Sequence, residues 1–205
     1  QQRLPCGDGL AFIHEHFERF LTRVHKRYEP AWYFIPVLLA GVLPWILSLV
    51  PALRGAWRRS PDVAFQPKRF LLLWCALVFV FFSASGSKLS SYILPIFPAL
   101  ALLIGSTLAS SGSRFALAQA AVAGLLAVAL ATVTSQVSRF ATSRLPAELL
   151  AGYAPWLLAA AVALLAAAGV SAWLALRARP RAAVLALAFG GLISVQVATS
   201  GYEEL

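Results

Sequence analysis

The residues best suited to chemistry lie in Phe81–Pro98, FFSASGSKLSSYILPIFP, where one lysine interrupts two apolar runs. Neither Phe70–Phe82 nor Ile93–Ser113 carries a charge, so Lys88 belongs at or near a bilayer surface. Taking an ionisable group into the hydrocarbon centre costs about 2.5 kcal/mol or more, and groups kept there tend to be functional. Ser83, Ser85, Ser87, Ser90, Ser91 and Tyr92 surround Lys88 in sequence. An ammonium among hydroxyls can hold a phosphate. The plainer alternative is a snorkelling lysine that marks a helix end, but the serines and glycine around it offer little apolar surface for its stem.

A second set lies in the N-terminal arm: His14, His16, Glu18, Arg19 and His25. A guanidinium fork fits phosphate oxygens in two-point contact, which makes Arg19 a candidate phosphate clamp. The alternative for Arg19 is a solvated charge facing lipid phosphates. His14, Glu18 and His25 share one helical face, whereas His14 and His16 do not. A metal held by His14 and Glu18 would need further ligands, and interfacial histidines bonded to head groups are the plainer alternative. Arg139 and Arg144, with Glu148, form a third set beside Ser138, Thr142 and Ser143. No carboxylate falls inside an apolar segment, and neither a Ser-His-Asp set nor a phosphate-cradling glycine loop is present. If the chain serves an enzyme, its catalytic base is expected outside these residues.

The elements that must position these groups are membrane helices. Of the 205 residues, 60% are hydrophobic and 12% charged, against about 25% charged in an ordinary soluble domain. The mean hydropathy is +0.77. Six candidate spans of about 20 residues are expected, near 31–53, 70–85, 92–110, 115–134, 154–176 and 182–199. The fold class is therefore all-α, a polytopic transmembrane helical bundle. The second span is short and is expected to continue past Gly86 or to tilt. Pro36 and Pro44 should bend the first span, and Leu94 before Pro95 should be pushed toward extended geometry. Residues 1–30 form an interfacial amphipathic arm, with Phe12, Ile13, Phe17, Phe20, Leu21 and Val24 at helical spacing. Residues 31–199 form the transmembrane helical domain, and 200–205 begin a further region. The chain has no methionine, even at position 1, and reads as an internal piece of a longer protein.

Charge sets the orientation. With six spans, the loops 54–69, 111–114 and 177–181 share one side, with nine basic residues and one acid. The other side holds eight basic residues against seven acids. The positive-inside rule weighs short loops most, which makes the first side cytoplasmic and puts Lys88 and the arm outside. The net charge of +9 is read as topology and contact with membrane lipid head groups rather than nucleic-acid binding. Cys6 and Cys75 show neither a zinc nor a redox spacing.

EHFERF at Glu15–Phe20, PAWYFIPVLLAGVLPW at Pro30–Trp45 and FFSASGSKLSSYILPIFPALALLIG at Phe81–Gly105 occur in that order. Together they resemble part of the bacterial 4-amino-4-deoxy-L-arabinose transferases, which belong to the protein mannosyltransferase-like family 39 of GT-C glycosyltransferases. The matching motifs run from about Gly9 to Gly105; beyond them only hydropathy matches. The resemblance implies an inverting transfer of a sugar from undecaprenyl phosphate, on the periplasmic side of the inner membrane, to a lipid A phosphate or another periplasmic acceptor. It implies that Arg19, Lys88 and Tyr92 face the active-site cavity and bind the lipid-phosphate or sugar end of the donor. His14, His16, Ser87 and Ser91 are weaker candidates. It also implies that the catalytic aspartate lies in a preceding periplasmic loop absent from this chain. No cofactor is required by these residues, with a divalent metal as the open alternative. A related transferase with another sugar or acceptor, a transporter segment and a non-catalytic membrane scaffold are the competing readings. A transporter should show polar residues inside its spans and an internal repeat. Only Gln119 and Gln196 lie within the spans, and no repeat is evident.

Overall fold

The computed structural model describes residues 30–59, 64–85, 88–140 and 146–203. Among them are seven α-helices and no strand. They are α1 (Phe34–Gly41), α2 (Ile46–Trp57), α3 (Pro67–Ala84), α4 (Ile96–Ala109), α5 (Ser113–Thr134), α6 (Ala147–Leu176) and α7 (Pro180–Glu203). Short 3-10 turns occupy Ala31–Tyr33, Ser90–Ile93 and Val137–Phe140. The chain divides into two units between Ile104 and Gly105, inside α4.

Among the described residues, four helices are long and apolar enough to cross a bilayer: α3, α5, α6 and α7. The expected first span is a broken pair instead, with Ala31–Gly41 and Ile46–Trp57 meeting at 112°. The break falls at Val42–Trp45, around Pro44, which has no amide hydrogen to donate. There Leu43 N bonds Ala40 O at 3.2 Å and Trp45 N bonds Val42 O at 2.7 Å, so tight turns replace the helical ladder. Pro36 does not contribute to the bend. It lies in the first turn of α1, where amide hydrogens lack helical partners anyway. Counting the broken pair as one, the described residues offer up to five spans rather than six. The expected third span is shortened to α4, 14 residues long, because residues 90–93 form a 3-10 turn.

Two other boundaries differ from expectation. The short second span lengthens at its basic end: α3 begins at Pro67, whose fixed φ suits a first helical position. It stops at Ala84, and Ser85 is extended (φ −65°, ψ 141°). The fifth span begins at Ala147 and runs 30 residues to Leu176. Pro146 precedes it, and Glu148 in its first turn complements the positive pole of the helix.

The first unit packs α2 on α3, and the Ser90–Ile93 turn touches both α1 and α3. Phe34, Ile93, Ile96 and Leu103 are fully buried there. Gly41 leaves room for the Phe97 ring, which occupies the space a Cβ would fill.

The second unit is a three-helix bundle of α5, α6 and α7. Lipid tails are as apolar as leucine, so close backbone approach, not apolar burial, must hold it. Ala116, Ala120, Ala123 and Ala127 line the buried face of α5, and Ala160, Ala161, Ala167, Ala168 and Ala175 that of α6. Many of the large apolar side chains point outward, with Leu125 71% exposed, while Leu187 is buried. Polar groups add bonds between α6 and α7. Ser194 Oγ donates to Ala160 O at 2.7 Å, and Tyr153 OH donates to Ala198 O at 2.9 Å.

The link from α6 to α7 is a Schellman motif. Ala178 N donates to Ala175 O at 3.0 Å and Arg179 N to Leu174 O at 3.0 Å. Ala178 takes φ 55°, a left-handed position that a Cβ disfavours by about 1–2 kcal/mol. Ala178→Gly should therefore raise stability by about 1 kcal/mol, read as a higher Tm in detergent. Gly190 is the opposite case. A Cβ there would meet Ala167 Cβ and approach the Ala167 Cα. Gly190→Val should cost about 1–3 kcal/mol in the same assay, because backbone, not a flexible side chain, must move.

Candidate functional site

Lys88 sits just before the Ser90–Ile93 turn and is 6% exposed. Its Nζ donates to Ser85 O at 2.7 Å. An ammonium has three donors, and among the described residues Ser85 O accounts for one. A snorkelling lysine would keep its ammonium in water; this one is withdrawn from it. Removing an ion from water costs several kcal/mol unless partners replace its hydration. An acceptor with negative charge is one group that would replace that hydration.

The local sequence explains how the lysine is held. Ser85 leaves the helical ladder, and its carbonyl turns toward Lys88. Tyr92, half-buried, stacks on Phe82 with ring centroids 5.1 Å apart and planes at 30°. Phe81 meets Phe82 edge-on at 5.1 Å. This pairing joins the last turn of α3 to the turn after Lys88. Further on, Trp74 Nε1 donates to Pro95 O at 3.1 Å and Cys75 Sγ approaches Ile96 O at 3.9 Å. Leu94 is helical (φ −51°, ψ −38°) rather than extended. Its amide bonds Ser91 O, and its carbonyl accepts from Phe97 N, both at 3.1 Å. Those two bonds override the steric bias that Pro95 exerts on the preceding residue.

Among the described residues it is the Ser85 carbonyl that meets Lys88. Ser90 and Ser91 are exposed. Ser83 Oγ is buried without a hydrogen-bond partner. Arg19, His14, His16, Glu18, His25 and Ser87 lie outside the described residues, as does Arg144. No group of His, Cys, Asp or Glu able to hold a metal occurs among the described residues. Arg139 is exposed and donates to Gln136 Oε1 at 3.0 Å. Of the two polar residues within the spans, Gln119 is fully buried and Gln196 exposed. Sequence reasoning missed Trp74 and Phe82 as positioning residues. The available signal was an aromatic residue on each flank of the lysine loop.

Fold and site together define an all-α, multi-span membrane protein with a buried cation between two of its apolar helices. Its relatives are sugar transferases. The undecaprenyl phosphate-alpha-4-amino-4-deoxy-L-arabinose arabinosyl transferase of Shewanella sediminis (strain HAW-EB3) is 35% identical over 154 residues, 70% of this chain and 26% of the relative. Transferase 2 of the same description from Sodalis glossinidius (strain morsitans) is 46% identical over 101 residues, 49% of this chain and 18% of the relative. The crystal structure of ArnT from Cupriavidus metallidurans bound to undecaprenyl phosphate superposes with a TM-score of 0.83 at 31% identity, covering 97% of this chain and 35% of that one. No family profile matches the chain. The chain is thus a relative of part of these arabinosyl transferases, and spans about a third or less of their length.

Trp74→Phe keeps the apolar bulk of the indole and removes its N–H. It should destabilise the chain by about 0.5–1.5 kcal/mol, measured as a lowered Tm in detergent.

Proposed function

We propose that this chain forms the donor-phosphate-holding part of an inverting, polyprenyl-phosphate-dependent glycosyltransferase. The sugar is 4-amino-4-deoxy-L-arabinose, the donor carrier undecaprenyl phosphate and the acceptor a lipid A phosphate. The membrane is the bacterial inner membrane, with Lys88 on its periplasmic side. One observation carries the proposal: an ammonium buried at a membrane-helix turn, bonded among the described residues to Ser85 O, in a chain that shares its fold with a transferase crystallised with undecaprenyl phosphate.

The chemistry suits the residues. As the acceptor oxygen attacks the anomeric carbon, the glycosidic C–O bond breaks and its electron pair leaves with undecaprenyl phosphate. Charge grows on the departing phosphate, and a preorganised cation in a water-poor site stabilises that charge more than water would. Lys88 supplies the cation. Ser85 O and the Tyr92–Phe82 stack hold it in place. Arg19 supplies a second cation, and Tyr92 contacts the donor. His14, His16, Ser87 and Ser91 are secondary donors to the same groups. The acceptor is itself an ionised phosphate, so little general-base help is needed.

The test uses the full protein that carries this chain, in a strain lacking its own aminoarabinose transferase, with lipid A read by mass spectrometry. Wild type should add aminoarabinose. Lys88→Ala, at equal protein level, should lose about 100-fold or more of that activity, the scale of removing one charge-stabilising donor. Addition by both proteins would leave Lys88 a structural residue. No addition by wild type would point to another sugar or acceptor.

A further inference from the structure

Ala116 of α5, Ala175 of α6 and Ala183 of α7 form one buried cluster. The start of α5, the end of α6 and the start of α7 therefore converge at one end of the bundle. Four arginines occupy that end: Arg114, Arg177, Arg179 and Arg181, all exposed. The guanidinium of Arg177 lies over the Trp173 ring at 5.4 Å. Arg114, Arg179 and Arg181 have neither an ion pair nor a side-chain hydrogen bond among the described residues. The described acids of this unit lie elsewhere. Glu148 is in the first turn of α6, about 45 Å along that helix from Arg177 at 1.5 Å per residue. Glu203 ends α7.

The backbone reinforces the charge. α5 and α7 both begin here, with no acidic residue in either first turn. Arg114 and Arg181 thus sit at positive helix poles, which disfavour a cation. A shallow concavity of about 370 Å³, lined by Ala178, Arg179, Pro180, Arg181 and Ala182, opens at the start of α7. Trp173 and Leu176, both exposed, flank it with apolar surface. Concentrated cations at a span end, next to apolar side chains, match a phospholipid: charge for the phosphate, aromatic and aliphatic surface for the upper acyl chains.

We infer that the arginine end of the α5–α6–α7 bundle binds the headgroup of an anionic phospholipid, whose phosphate is held between Arg179 and Arg181 with Arg114 beside it. This inference does not depend on the proposed transferase activity.

The chain, purified in detergent, is titrated with phosphatidylglycerol or phosphatidylcholine, and bound lipid is counted by native mass spectrometry. Phosphatidylglycerol should bind preferentially. Arg179→Gln with Arg181→Gln should weaken it about thirtyfold, while the paired Arg→Lys variants keep most of the binding. Arg139→Gln, near the opposite end of α5, should change nothing. Equal retention of both lipids, or an equal loss in Arg139→Gln, overturns the proposal. Competition by millimolar glycerol 3-phosphate assigns the site to soluble phosphates and overturns the lipid assignment. A circular-dichroism melt of each variant separates loss of binding from loss of fold.

Discussion

A cation removed from water must find its compensation locally, and the first unit is organised around that demand. Lys88 is buried, so its ammonium needs acceptors that the apolar helices on either side cannot offer from their side chains. The compensation comes from backbone instead. α3 ends at Ala84, Ser85 swings out of the ladder, and its carbonyl becomes available at 2.7 Å. Each neighbouring feature keeps that carbonyl and that ammonium together: the Tyr92–Phe82 stack, the Ser90–Ile93 turn and the Trp74 bond to Pro95 O. Among the described residues, the Ser85 carbonyl is the acceptor that meets this ammonium.

The second unit answers a different constraint. Within hydrocarbon every backbone polar group must be satisfied inside the fold, and helices achieve this by themselves. What remains is to bring the helices together without an apolar driving force. Alanine and glycine let α5, α6 and α7 approach closely, and Ser194 and Tyr153 bond across the gap to backbone carbonyls. Ser171 shows the cost of a polar group in such a core, since its Oγ is buried without a hydrogen-bond partner among the described residues. The chain reverses between α6 and α7 over a few residues, which forces Ala178 into a left-handed conformation and gathers three arginines at one point.

Much of this was legible in the residues. The all-helical membrane class followed from apolar runs of spanning length, and Lys88 stood out as one charge between two of them. The transferase resemblance rested on three short motifs, and the comparisons support it along nearly the whole chain. Boundaries were less legible. The hydropathy of Ala31–Leu53 is continuous although its backbone turns by 112°, because hydropathy registers side chains and Pro44 acts on the backbone. Hydropathy starts the fifth span at 154 because Ala147–Tyr153 mixes polar and apolar residues, whereas the helix begins at Ala147, just after Pro146 at its cap. Pro95 alone predicts extended geometry at Leu94, whereas two backbone hydrogen bonds fix it as helical.

By itself the sequence determined the solvent this protein lives in, the helical class and the identity of the buried cation, because each depends on composition and spacing along the chain. Only the tertiary structure decided which atom meets that cation, which aromatic rings brace it and which arginines share one end of a bundle. Those outcomes depend on where the backbone leaves a helix and how two helices lie against each other. Lys88 and Ser85 are near neighbours in sequence, but whether a carbonyl faces an ammonium depends on a single ψ angle. Trp74 and Pro95, or Arg114 and Arg181, become neighbours only when the helices between them are packed.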